Sequence, residues 1–197
     1  MKLYLVFLLC MSGLILKGEE RANDIVIDFD QIVGGSVVNT IYPGVTFSMM
    51  PVGDIFAYSI SAGTSFPNVI CTLDCTGPIS VDFSPGVDNL TFQISELNFT
   101  SVEVHVFVYE DENVISSGFF EVFGTGNPSL PYFVDLTAFM NVTRVEIINV
   151  TAGNDGIVLD DFSFSQPCVG LENLPIEEWP DTTIISLVTL LNQLCSF

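Results

Sequence analysis

Basic residues are almost missing from this 197-residue sequence, where 4 Lys and Arg stand against 24 Asp and Glu for a net charge of −20. Lys2, Lys17 and Arg21 lie in or beside the first apolar stretch, so Arg144 is the one base left in the body of the chain. Nucleic-acid binding needs a basic footprint to neutralise phosphates, and there is none. Attraction to an anionic membrane surface is disfavoured on the same ground. Histidine is equally scarce: a serine or cysteine triad would have only His105 to use as its base. No Gly-x-Ser-x-Gly elbow, metal-binding histidine helix or phosphate loop is found. Helical periodicity and internal repeats are also missing between the two acidic strands described below. What remains is 49% hydrophobic and 14% charged, which excludes a disordered chain.

The first 22 residues read as a signal peptide, with Met1-Lys2 as the positive end and Leu3 to Leu16 as the apolar stretch. That stretch is short for a membrane span, which needs about 20 residues. Gly18 and Ala22 are both candidate cleavage ends, and a retained signal anchor is the alternative. Residues 23–166 are expected to form one β-domain, and 167–197 a linker followed by a C-terminal apolar helix. In that helix Asp181 is the cap, and Ile184, Leu187, Val188, Leu191 and Leu194 share a face. The face packs on the domain or on a partner; the sharper alternative is attachment to the cell surface through a lipid-anchor signal.

Two acidic strands bracket the domain: Asp24-Ile25-Val26-Ile27-Asp28-Phe29-Asp30 and Gly156-Ile157-Val158-Leu159-Asp160-Asp161-Phe162-Ser163-Phe164. Between them short segments alternate. Ser36–Thr40 and Gly44–Ser48 are expected as strands joined by a turn at Tyr42-Pro43-Gly44, and Met49–Pro67 as a loose region. Ile79–Phe83 and Leu90–Ile94 read as two strands parted by a turn at Ser84-Pro85-Gly86. Val102–Tyr109 is the clearest strand, with four valines on one face, and Glu110–Asn113 turns it into a hairpin with Val114–Phe120. Tyr132–Leu136, Val142–Val150 and Ile157–Phe164 complete the set. About ten short strands without helices predict an all-β, antiparallel β-sandwich or jelly roll. Alternation along the last strand puts Asp160 with Phe162 and Phe164 and turns Asp161 the other way.

Without the leader, four cysteines remain, Cys71, Cys75, Cys168 and Cys195, which allow three connectivities. Closeness in sequence favours Cys71–Cys75 and Cys168–Cys195. Zinc is disfavoured by the single histidine and by the spacing. Sequons at Asn89, Asn98, Asn141 and Asn149 are glycosylation sites if the source is eukaryotic.

The order Ile-Asp-Phe-Asp (27–30), Tyr-Pro-Gly-Val-Thr-Phe (42–47), Val-Asp-Phe-Ser (81–84), Phe-Val-Asp-Leu-Thr-Ala-Phe-Met-Asn-Val-Thr-Arg-Val-Glu-Ile (133–147) and Leu-Asp-Asp-Phe-Ser-Phe (159–164) resembles a loose group of exported sandwich proteins. The group comprises the extracellular domains of bacterial PEP-CTERM-sorted proteins and, more distantly, galactose-binding-like jelly rolls of carbohydrate-binding modules. The tail departs from the sorting pattern: it has Leu174-Pro175-Ile176-Glu177 and no basic end. The resemblance implies a structural calcium ion where first and last strands meet, held by Asp160 and Asp161 with Asp28 or Asp30. Clustered carboxylates suit calcium, which takes six to eight oxygens. The competing reading is that these acids are solvated strand ends.

The resemblance also implies binding of extracellular glycans. Candidate ligand-binding residues are Glu103, His105, Phe107 and Tyr109 on the face opposite the valines, with Tyr58 and Tyr132 near loops as further aromatics. For each aromatic the plain alternative is core packing. A secreted or surface adhesion protein without a small ligand is the competing function. A glycoside-active enzyme using a carboxylate pair is the third.

Overall fold

The computed structural model describes residues 23–59, 67–96, 101–123, 131–151 and 156–166. The expected signal peptide, the C-terminal helix, Cys168, Cys195 and Asn98 lie outside the described residues. All regular structure within them is strand: β1 (Asn23–Ile27), β2 (Val45–Met49), β3 (Phe56–Ser59), β4 (Asn68–Cys71), β5 (Ile79–Glu96), β6 (Ser101–Glu110), β7 (Asn113–Phe123), β8 (Tyr132–Asp135), β9 (Val142–Asn149) and β10 (Ile157–Gln166).

The 18-residue β5 organises the fold. Its first half lies between β2 and β9 in a five-stranded sheet ordered β2-β5-β9-β6-β7. Its second half lies between β10 and β8 in a second sheet, β3-β4-β10-β5-β8, with β1 also paired to β10. The expected turn at Ser84-Pro85-Gly86 is therefore a crossing from one sheet to the other, not a reversal. Register slips between Asp82 and Val87, and a proline fits such an irregularity because no ladder donor is needed there. Gly86 packs against the Asn141 side chain, leaving no room for a Cβ.

Period-2 alternation supplies the core. Val81, Phe83, Val145, Ile147 and the four β6 valines come from one sheet; Leu90, Phe92, Ile94, Leu159, Phe162 and Phe164 come from the other. Phe162 is the hub: its ring stacks on Phe92 at 5.0 Å and meets Phe47 at 5.5 Å and Phe29 at 6.1 Å edge-on. Phe29 reaches this cluster from the turn after β1 with φ 58°, and is fully buried.

Three further expectations change. Ser36–Thr40 is not a strand; only Val37 bridges to Phe56. The region expected to be loose contains the four-residue β3, and β4 was not anticipated, because a four-residue strand buried at every position shows no alternation. In β10 the register shifts between Asp160 and Ser163, and Asp161 has φ 47°. This bulge reverses the facing, so Leu159 and Phe162 both enter the main core. Asp160 thus shares parity with Val158, which packs on the separate Val69/Cys71 cluster.

Candidate functional site

The outer face of the five-stranded sheet collects most of the expected ligand-binding residues. Register sets them in rows. Thr46, Asp82, Arg144 and Tyr109 stand side by side across β2, β5, β9 and β6; Ser48, Ser80, Glu146, Phe107 and Ser117 form the next row. A third row holds Ile148, His105 and Phe119, and a fourth pairs Glu103 with Glu121.

The first row is tied together by charge. The Arg144 guanidinium sits 4.0 Å from the centroid of the Tyr109 ring, and its Nε lies 3.3 Å from Glu146 Oε1. Tyr109 donates its hydroxyl to Glu146 Oε2 at 2.7 Å, and Glu112 approaches Arg144 at 3.8 Å. Tyr109 is thus covered by Arg144 on one face and is no open platform. Desolvation, then the hydrogen bond to Glu146, pushes its phenol up.

Desolvation also raises the Asp82 carboxyl, although Ser80 donates to it at 3.2 Å and Arg144 opposes the shift. A carboxyl whose folded pKa exceeds its unfolded value makes the folded state hold its proton more tightly. Its cost to stability is present above the raised folded pKa and is relieved as pH falls through it. Asp82→Asn is therefore expected to melt higher than the parent at about pH 7, with the gap closing toward about pH 4. Paired thermal melts check this; an unchanged or lower midpoint at neutral pH contradicts it. Asp82, Arg144 and Glu146 line an open groove of about 480 Å³ together with Ser48, Ser80 and the Met50-Pro51 segment.

Next to the groove runs an aromatic ladder. His105 lies between Phe107 (centroids 4.0 Å apart) and Phe119 (3.5 Å, stacked), with its Nε2 buried and lacking a hydrogen-bond partner among the described residues. Phe119 is 61% exposed and is the ring of the ladder that most faces solvent. Sequence reasoning missed Phe119, Asp82, Arg144 and Glu146 as members of this face. Cross-strand register brings them together, and register is not written in any one segment.

The other candidates lie elsewhere. Tyr58 donates its hydroxyl to the Leu73 carbonyl at 2.8 Å, beside the Cys71–Cys75 disulfide. Tyr132 stacks on Phe120 at 4.4 Å, on the inner side of the sheets. Among the expected calcium ligands, Asp28 accepts from the Asp30 amide at 3.2 Å, and Asp30 accepts from the Asn68 amide at 3.4 Å. Asp160 accepts from the Asp161 amide at 2.9 Å, and Asp161 accepts from Gln93 at 3.0 Å. Among the described residues no three His, Cys, Asp or Glu side chains group as a metal site. Asp28 and Asp160 thus accept within their own turn and bulge, while Asp30 and Asp161 reach across to β4 and β5. Of the sequons, Asn89 and Asn141 are exposed, donating to Ser165 (2.9 Å) and Glu110 (3.1 Å), and Asn149 accepts from the Thr151 amide at 3.0 Å.

No protein-family model matches this sequence, and neither does any curated protein. Among solved structures, the K2 cleaved adhesin domain of Lys-gingipain is similar with TM-score 0.47 and 14% identity over 73% of this chain and 98% of that domain. A family 29 carbohydrate-binding module is similar with TM-score 0.40 and 14% identity over 74% of this chain and 89% of that one. A family 29 module complexed with mannohexaose gives TM-score 0.39 and 16% identity, over 74% and 92%.

Proposed function

We propose that this chain is an exported, non-catalytic module that binds neutral glycans across the outer face of the five-stranded sheet. The observation that carries the reading is the Phe107–His105–Phe119 ladder, open to solvent at Phe119 and flanked by the Ser80/Asp82/Glu146 groove. A sugar ring offers an apolar C–H face and a rim of hydroxyls. An exposed aromatic beside a few fixed acceptors complements both. Arg144, the one Lys or Arg among the described residues, is paired with Glu146 and Glu112, which favours a neutral sugar over a uronate or sulfate. Both oxygens of Glu146 are engaged by Tyr109 and Arg144, which supports holding a surface over activating a water. Export is supported by the leader-like first 22 residues and by the Cys71–Cys75 disulfide.

Titration calorimetry with mannohexaose and other neutral oligosaccharides tests the reading. Phe119→Ala is expected to weaken binding about tenfold or more with an unchanged melting midpoint, since the ring contributes little to the core. A glycan array that stays blank at high protein concentration, or unaltered binding in Phe119→Ala, overturns it.

A further inference from the structure

Along one side the two sheets meet through the Phe120–Tyr132 stack and leave a cleft beside it. β7 is the outer strand of the first sheet and β8 the outer strand of the second, among the described residues. Between them opens a cleft of about 310 Å³ whose lining includes Val106, Val108, Gly118, Phe120, Tyr132 and Leu136. On β6 the inward residues Val104, Val106 and Val108 are buried, whereas their β7 partners Phe120, Gly118 and Ser116 are only half covered or exposed. A Cβ added at Gly118 would meet nothing within 4 Å. The Phe120–Tyr132 stack, with rings 4° from parallel, forms one wall.

Among the described residues nothing pairs with or covers the outer edge of β7. Natural edge strands are blunted by charges, proline or shortness. β7 runs for 11 residues with Glu121 as its one charge and no proline, and exposes Val114 (52%), Phe119 (61%) and Phe123 (64%).

We propose that the β7 edge and the cleft beneath it are a strand-addition site for an extended segment of a partner protein, basic on one face and apolar at every second position. A strand added beside β7 would pair its backbone with the free edge and direct alternate side chains into the space by Gly118 and Phe120. Charge complementarity selects the partner. The chain carries a net charge of −20, Glu121 faces outward on β7, and Asp135 lies at the cleft mouth. Asp135 accepts from the Thr137 amide (3.0 Å) and hydroxyl (2.7 Å), which favour its charged form. A second copy would bring the same negative field, so attraction favours a basic segment over self-association.

The test uses a labelled peptide of about ten alternating Val and Lys residues, the length of a long strand, read by fluorescence anisotropy at about 0.15 M salt. Micromolar binding is expected, about tenfold weaker for an alternating Val and Glu peptide and for a Val and Lys peptide with N-methylated backbone. Gly118→Leu fills the cleft at a position without left-handed backbone, and should weaken binding about tenfold while the melting midpoint holds. Hydrogen exchange on the unmodified protein should slow over residues 113–123 when the peptide is added, which keeps the test informative if Gly118→Leu misfolds. Three results overturn the proposal: no binding at millimolar peptide, equal binding to a folded Gly118→Leu, or binding without protection of β7. Concentration-dependent dimers that protect β7 in the absence of peptide would assign the edge to a second copy instead.

Discussion

Phe162→Ala is expected to cost about 3–5 kcal/mol, a large share of a single domain's stability. For a domain of this size the melting midpoint should fall by roughly 10 °C or more. The ring is fully buried and is shared among Phe29, Phe47 and Phe92, which arrive from the turn after β1, from β2 and from β5. Removing it withdraws a contact from both sheets and from the turn at once, so no single neighbour can move in to fill the space. The bulge at Asp161 aims this ring, so the strand's two halves must keep their present register for it to fit. Phe162→Leu should lose roughly half as much, because most of the volume is kept. Urea unfolding of the three proteins decides the matter. A loss below about 1 kcal/mol in Phe162→Ala would mean the cluster repacks freely.

How far the fold was legible follows from the kind of signal each segment carries. β6 was readable because its valines sit at every second position and Asp111-Glu112 supply a tight reversal, with Asp111 at φ 52°. β5 was misread as two strands because Ser84-Pro85-Gly86 has turn chemistry; whether the chain reverses there or crosses between sheets depends on partners far along the sequence. β3 and β4 went unread because their burial is set by tertiary neighbours. The β10 bulge was invisible as well: strict alternation predicts one facing for Asp160, and the inserted residue gives the other.

The candidate face shows the same division. Glu103, His105, Phe107 and Tyr109 were found together because they share a strand and a parity. Their roles were not, since Tyr109 is roofed by an arginine 35 positions away and the open ring is Phe119, contributed by the hairpin partner. Calcium was implied by the resemblance and not by any one segment, and the partners seen for Asp28 and Asp160 lie in the turn after β1 and in the β10 bulge. Register is what makes the sheet face a surface.

Asn68→Leu is expected to destabilise the protein by about 2–4 kcal/mol even though it adds apolar volume. Asn68 is 2% exposed, and its Nδ2 faces three carbonyls: Ile32 at 2.6 Å, Phe29 at 3.3 Å and Asp30 at 3.4 Å. Its Oδ1 accepts the Ser59 hydroxyl at 2.6 Å, so one amide joins the turn after β1 to β3. Leucine leaves those acceptors without their donor, a penalty that its hydrophobic gain does not match. The turn has a second dependence: Phe29 holds a left-handed backbone, which disfavours a bulky side chain by roughly 1–2 kcal/mol. The Asn68 amide helps hold it there, so losing the amide should also loosen the Phe29 ring in the Phe162 cluster. Asn68→Asp should be worse than Asn68→Leu, because it turns an acceptor toward three carbonyls. Hydrogen exchange over residues 29–35 and the urea midpoint read the two effects separately. Parent-like exchange in that turn with a midpoint shift below about 1 kcal/mol would show that water replaces the amide at no cost.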